Sequence, residues 1–153
     1  MSAEAPGASE ITELLARWWH RYDEARVDEL SVLLTADATF RVRTDTGTTD
    51  YEAFVRADFT GAEEITSWQA KHRGASPHPL RHMVLNVAVD SRDGDSSDFT
   101  SYLFVTHVVD GRPTPLPGGV VRGTVRRTVD GLKLSAFQLI LDTRDSVPLK
   151  ERA

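Results

Sequence analysis

Four side chains in this sequence are chemically suited to moving a proton near neutral pH: His82, His107, Asp23 and Tyr22. An imidazole titrates near neutrality, so it can both take and return a proton. A carboxylate bonded to one ring nitrogen fixes the tautomer and raises the basicity of the other. A phenol can donate a hydrogen bond to a carbonyl or hydroxyl, and the amide of Asn86 could hold a ligand carbonyl. Each residue also has a plainer reading. His82 could be a buried histidine held by one hydrogen bond, Tyr22 an aromatic in a helix stripe, and Asn86 a partner for backbone groups.

The two histidines belong to a pattern that can bring them together. Residues 80–90, LRHMVLNVAVD, alternate in period two, and a turn signal follows at Arg92-Asp93-Gly94-Asp95. Residues 98–109, DFTSYLFVTHVV, read as the returning strand of a long hairpin. His82, Val84, Asn86 and Ala88 then share one face, and Met83, Leu85, Val87 and Val89 share the other. A two-residue Asp93-Gly94 turn sets His82 opposite Val105; a four-residue turn sets it opposite His107. In both registers the odd-numbered residues of the return strand share the His82 face. A three-residue loop would reverse this, because a one-residue slip turns every side chain over.

Tyr22 and Asp23 fall near the end of a predicted helix over residues 9–25. Ser9 is its expected N-cap, and Ile11, Leu14, Leu15, Trp18, Trp19 and Tyr22 recur at three- and four-residue steps. The helix dipole disfavours a carboxylate there, so Asp23 is either solvated or turned inward for a reason. A short helix over 27–34, a β-like run over 39–43, a turn region over 44–49 and a third helix over 51–59 follow. A fourth helix over 63–72 has Ile65, Trp68 and Gln69 facing in. Residues 74–79 are rich in breakers, and His72 and His78 are expected on an entrance loop. Residues 110–119 read as a loop, since three alternating prolines fit no central strand. The last strands cover 120–128 and 132–142, joined at Asp130-Gly131.

Residues 1–8 are expected to be disordered, 9–143 to form one domain, and 144–153 to be a charged tail. Helices first and long antiparallel strands afterwards imply an α+β fold, with helices on one face of a strongly curved, mostly antiparallel sheet. Such a cone encloses a mostly apolar pocket, where Asp23 and His82 are positioned to meet.

Composition narrows the function. The chain has no cysteine, which excludes a thiol nucleophile, a disulfide framework and a zinc ribbon. A formal net charge of −5 argues against nucleic acid as the main partner. No apolar run is long enough for a membrane span, and residues 1–10 lack the features of a signal peptide, so a cytoplasmic protein is expected. His78-Pro79-Leu80-Arg81-His82 places two histidines four apart, but Pro79 rules out a helical zinc arrangement and no third ligand is obvious; no metal site is expected. Serine-nucleophile, phosphate-loop and dinucleotide motifs are absent.

Three stretches carry a resemblance: ITELLARWWHRYDEARVDELSVLLTADATF at the front, LRHMVLNVAVDSRDGD in the middle, and GGVVRGTVRRTVDGLKLSAFQLILDT at the end. In that order they resemble the SnoaL-like group of the nuclear transport factor 2-like superfamily, over residues 11–143. The resemblance implies an α+β cone with a deep pocket, commonly a homodimer or higher homo-oligomer through the outer sheet face. Met83, Leu85, Val87 and Val89 would suit that contact. Within the superfamily the chain is most similar to the scytalone and bile-acid dehydratases. Tyr22-Asp23 matches the tyrosine–aspartate pair of the scytalone dehydratases, His82 their strand histidine, and His107 lies near their second histidine. Tyr51 is the one counterpart for a further assisting tyrosine, and the carboxylate of the bile-acid enzymes has no counterpart over 104–106.

The resemblance therefore implies a cofactor-independent lyase or isomerase acting on a small hydrophobic cyclic hydroxy-carbonyl compound. His82 and Asp23 would be the acid/base pair, assisted by Tyr22. Asn86, His107, Trp18, Tyr51 and Phe54 would hold the substrate. The same fold also includes noncatalytic members, such as dioxygenase small subunits, so a binding or structural module is the alternative.

Overall fold

The apolar stripe Ile11, Leu14, Leu15, Trp18, Trp19 and Tyr22 forms one side of helix α1 (Ala8–Asp23), and all six residues are buried. A computed structural model describes residues 4–148 of the chain. The helix starts two residues earlier than an N-cap at Ser9 would place it. Gly7 is the N-cap, and its N–H donates to the Glu10 carboxylate at 3.0 Å. Arg127 binds the same carboxylate at 2.8 Å, and the two donors hold Glu10 below the usual carboxylate range.

Two short 3₁₀ turns, Val27–Glu29 and Ser31–Leu33, replace the single helix expected over 27–34. Strand β1 (Leu34–Thr44) is longer than its apolar run suggested. The third predicted helix shrinks to α2 (Glu52–Val55), and Phe59 belongs instead to strand β2 (Ala57–Thr60), which pairs with β1. Helix α3 (Ala62–Gly74) follows, then β3 (Leu80–Asp93), β4 (Ser96–Val109), β5 (Arg112–Thr128) and β6 (Gly131–Leu141).

The strands form one sheet in the order β2-β1-β6-β5-β4-β3, antiparallel except where β1 runs parallel to β6. The sheet curls without closing, and the helices lie on its inner side. This is the α+β architecture expected from helices followed by long strands. Trp18 and Phe40 meet on Phe137 of β6, with ring centroids 5.5 and 5.9 Å apart, and form the aromatic middle of the core.

Two expectations fail for reasons of sheet geometry. Residues 112–118, expected to be a loop, are the first part of β5 and pair with β4. The pairing of β5 with β6 begins only at Gly119↔Leu141, so Pro113, Pro115 and Pro117 lie on a stretch with no neighbouring strand on the other side. Their alternation keeps every missing N–H toward that free edge, where none is needed.

The second failure is on β3. Its two-residue turn is Gly94-Asp95 rather than Asp93-Gly94, which sets Asp93 opposite Ser96. Two bulges then each absorb one residue of β3, between Leu85 and Ala88 and between Val89 and Ser91. Asn86 occupies the first bulge with φ +56°. The slip turns Asn86 out to solvent and brings Val87 and Val89 against the core. The expected row His82, Val84, Asn86, Ala88 therefore ends at Val84.

Part of the N-terminal segment expected to be disordered is instead held in place. Arg127 Nε donates to the Glu4 carbonyl at 2.8 Å, and the buried Ser97 hydroxyl donates to the Pro6 carbonyl at 2.7 Å. Residues 1–3 of that segment, and 149–153 of the expected tail, lie outside the described residues. Among the described residues no helix is long and apolar enough to cross a membrane.

Candidate active site

The last residue of α1, Asp23, meets the third residue of β3, His82, which lines a cavity. Asp23 is buried and binds His82 twice. One carboxylate oxygen lies 2.5 Å from His82 Nδ1, and the other accepts the His82 backbone N–H at 2.9 Å. This second bond fixes the carboxylate to the strand, so the imidazole cannot turn without losing its partner. Arg73 of α3 completes the support. Its Nη2 and Nε donate to the Asp23 carbonyl at 2.9 and 3.2 Å, satisfying an acceptor that the helix end leaves open. The carboxylate's unfavourable place at a helix C-terminus is thus offset by direct donors.

Carboxylate acceptance at Nδ1 places a proton on that nitrogen and leaves Nε2 as the ring atom able to take one. Trp19 stacks on the imidazole at 4.1 Å with the planes 2° apart, and Tyr22 meets it edge-on at 5.3 Å. The ring is therefore held from its face, its edge and its nitrogen. Burial pushes the Tyr22 phenol well above its ordinary range, with the nearby Arg73 charge opposing and Asp23 adding to the shift. A phenol so placed stays protonated and acts as a hydrogen-bond donor.

The cavity encloses about 260 Å³. Its wall includes Trp19, Tyr22 and His82 on one side and Trp68, Gln69 and His72 of α3 on another. Tyr51 and Phe54 line it from α2 and the residue before it, and His107 lines it from β4. His107 meets His78 edge-on at 5.6 Å. The odd-numbered face of β4 does share the His82 side, and His82 stands opposite Val105. That register is one of the two foreseen, but it arises from a two-residue turn placed one residue later and from two bulges.

Two expected substrate-binding residues lie elsewhere. Asn86 is carried out of the cavity by the bulge. Trp18 is fully buried against Phe137 and forms core rather than cavity wall. A helix stripe wider than a single row gives both tryptophans the same sequence signature, and only the packing separates Trp19 from Trp18. His72 is not on a loop. It lies in the last turn of α3, stacked on Trp68 at 4.4 Å and near Phe54 at 4.7 Å. Burial, with a smaller contribution from His82, depresses it to about 4. Gln69, fully buried one turn before it, also lines the cavity. No group of three or more His, Asp or Glu side chains suited to a metal ion occurs among the described residues.

With this geometry in view, the chain can be set beside known proteins. It is similar, over 94% of its length and 86% of the other chain, to an NTF2-like protein with a cystatin-like fold from Novosphingobium aromaticivorans; the identity is 22% and the TM-score 0.70. It is similar to the beta subunit assigned to an aromatic-ring-hydroxylating dioxygenase of the same organism, at 16% identity and TM-score 0.74, covering 93% of each chain. A protein from Catenulispora acidiphila, in complex with S-DNPA, matches at 24% identity and TM-score 0.70, over 88% of this chain and 90% of that one. These likenesses establish the fold. A search of curated proteins finds no match. The family model of the SnoaL-like domain matches residues 4–138. The chain belongs to the SnoaL-like family, with the nuclear transport factor 2-like fold.

Proposed function

We propose that this protein is a cofactor-independent lyase or isomerase of the dehydratase type, acting on a small hydrophobic cyclic hydroxy-carbonyl compound. The observation that carries the reading is the double bond-up of Asp23 with His82 at the wall of an apolar cavity. A core histidine needs one partner; this one is fixed at its backbone, its Nδ1 and its ring face, with Nε2 left over. On a β-hydroxy ketone, His82 Nε2 removes the proton next to the carbonyl. The electron pair moves into the enolate, whose oxygen accepts the Tyr22 hydrogen bond. The imidazolium then returns the proton to the β-hydroxyl, the C–O bond breaks, and water and the unsaturated ketone leave. Asp23 orients the ring and stabilises its charged form between the two steps. His107, Tyr51 and Phe54 hold the ring system.

The bulged outer face of the hairpin carries a second part of the reading. Met83 lies opposite Phe104 and Leu85 opposite Tyr102, and all four are exposed. This face, without Val87 and Val89, is where a second copy of the chain would dock to form a homodimer.

Replacing His82 by alanine tests the catalytic reading. With 3-hydroxy-1-tetralone as substrate, formation of 1-naphthol above the spontaneous rate should fall by about 10²-fold or more. Binding of unreactive 1-tetralone should stay within about twofold. Equal turnover in the variant, or none in the wild type, would leave a binding module as the better description.

A further inference from the structure

Helix α3 buries two residues fully, Ile65 and Gln69, which stand one turn apart. A leucine would serve the core at position 69; a glutamine there brings an amide that must find partners. It does not find them in the protein. The Gln69 Nε2 atom is buried with no hydrogen-bond partner, and the residue lines the cavity. Turning the amide about its last bond exchanges its two ends, so the side chain can present either its NH2 group or its oxygen to a ligand. Three residues on, His72 faces the same cavity, flanked by the rings of Trp68 and Phe54. Neither residue has a part in the proton transfer assigned to His82, Asp23 and Tyr22.

We propose that Gln69 and His72 form a second polar subsite, which binds an oxygen substituent on the far end of a flat cyclic substrate whose carbonyl lies against Tyr22. The aromatic flank of Trp68 and Phe54 suits a planar ring, and the end of the Gln69 amide that faces the cavity bonds a phenol hydroxyl at its rim. The subsite deepens the proposed function by setting the substrate class: ring compounds with two oxygen functions at opposite ends. A bound oxygen also satisfies the amide that is otherwise left unpaired.

The test compares two ligands by calorimetry, 1-tetralone and 6-hydroxy-1-tetralone; the second carries its hydroxyl at the end of the rings away from the carbonyl. The wild type should bind the hydroxylated probe about fivefold to tenfold more tightly, the size of one neutral hydrogen bond. Gln69→Leu should reduce that preference to within about twofold while leaving the affinity for 1-tetralone unchanged. Gln69→Met gives the same comparison should the leucine variant fail to fold. His72→Phe, which keeps the ring stack, should also lower the preference. The proposal is overturned if the wild type shows no preference, if neither probe binds, or if the Gln69 variants weaken both probes equally. The readout is binding alone, so a preference that survives in a wild-type protein without dehydratase turnover leaves the subsite standing and removes only the catalytic reading.

Discussion

At the scale of single residues, burial pushes two titratable groups of the site in opposite directions, the Tyr22 phenol up and the His72 imidazole down. Asp23 accepts two hydrogen bonds from His82, whereas His72 is half-buried between the rings of Trp68 and Phe54. Burial penalises the charged form of His72 and takes it from 6.5 to about 4. The sign of its effect on stability follows. Between those two pH values the unfolded chain binds a proton that the folded chain does not, so folding stability declines as pH falls through that window. His72→Phe removes the titrating group and keeps the ring. Urea unfolding at pH 7.5 and 4.5 should therefore show a smaller acid loss of stability in the variant than in the wild type. An equal loss in both proteins would mean that His72 is free to protonate in the folded state.

At the scale of elements, the decisive feature is the bulged strand β3. Asn86 sits in the left-handed region, which asparagine tolerates and β-branched residues do not. Asn86→Gly should be nearly neutral, while Asn86→Val should lose about 1–2 kcal/mol in chemical denaturation. If valine were tolerated as well as glycine, the bulge would not be needed to set the facing of Val87 and Val89. The neighbouring strand shows a related constraint. A Cβ on Gly119 would come within 2.1 Å of the Ile140 carbonyl oxygen, which leaves no room for a side chain where β5 first meets β6. The bulges and this close approach let the sheet curl far enough to face the cavity with both His82 and His107.

At the scale of the whole molecule, the outer face of the hairpin bears on assembly. If a second copy covers Met83, Leu85, Tyr102 and Phe104, light scattering after size exclusion should give about twice the 17.0 kDa chain mass. Leu85→Glu should return the protein to the mass of one chain, because a desolvated carboxylate at an apolar contact is unfavourable. A wild-type monomer, or a stable complex with a larger iron-containing chain instead, would turn this reading toward a structural module.

Much of this architecture was readable in the chain itself. The 3- and 4-residue spacing from Ile11 to Tyr22 specifies a helix with one buried side, because that spacing is the period of the helix itself. The alternation from Leu80 onward specifies strands for the same kind of reason, and the order of the two patterns specifies the α+β class. His82 and His107 stand out as histidines on an apolar strand pattern, whereas Asp23 and Tyr22 are singled out by the family resemblance. Tertiary structure decided where they point. Pairing with β4 introduced the bulge that ejected Asn86, and a free sheet edge allowed the three prolines into β5. Packing against Phe137 separated Trp18 from Trp19, and the facing of α3 brought Gln69 and His72 to the cavity. Local periodicity reports which side of an element is apolar. It carries no record of a one-residue slip against a distant strand, and such a slip is what turns a side chain from wall to solvent.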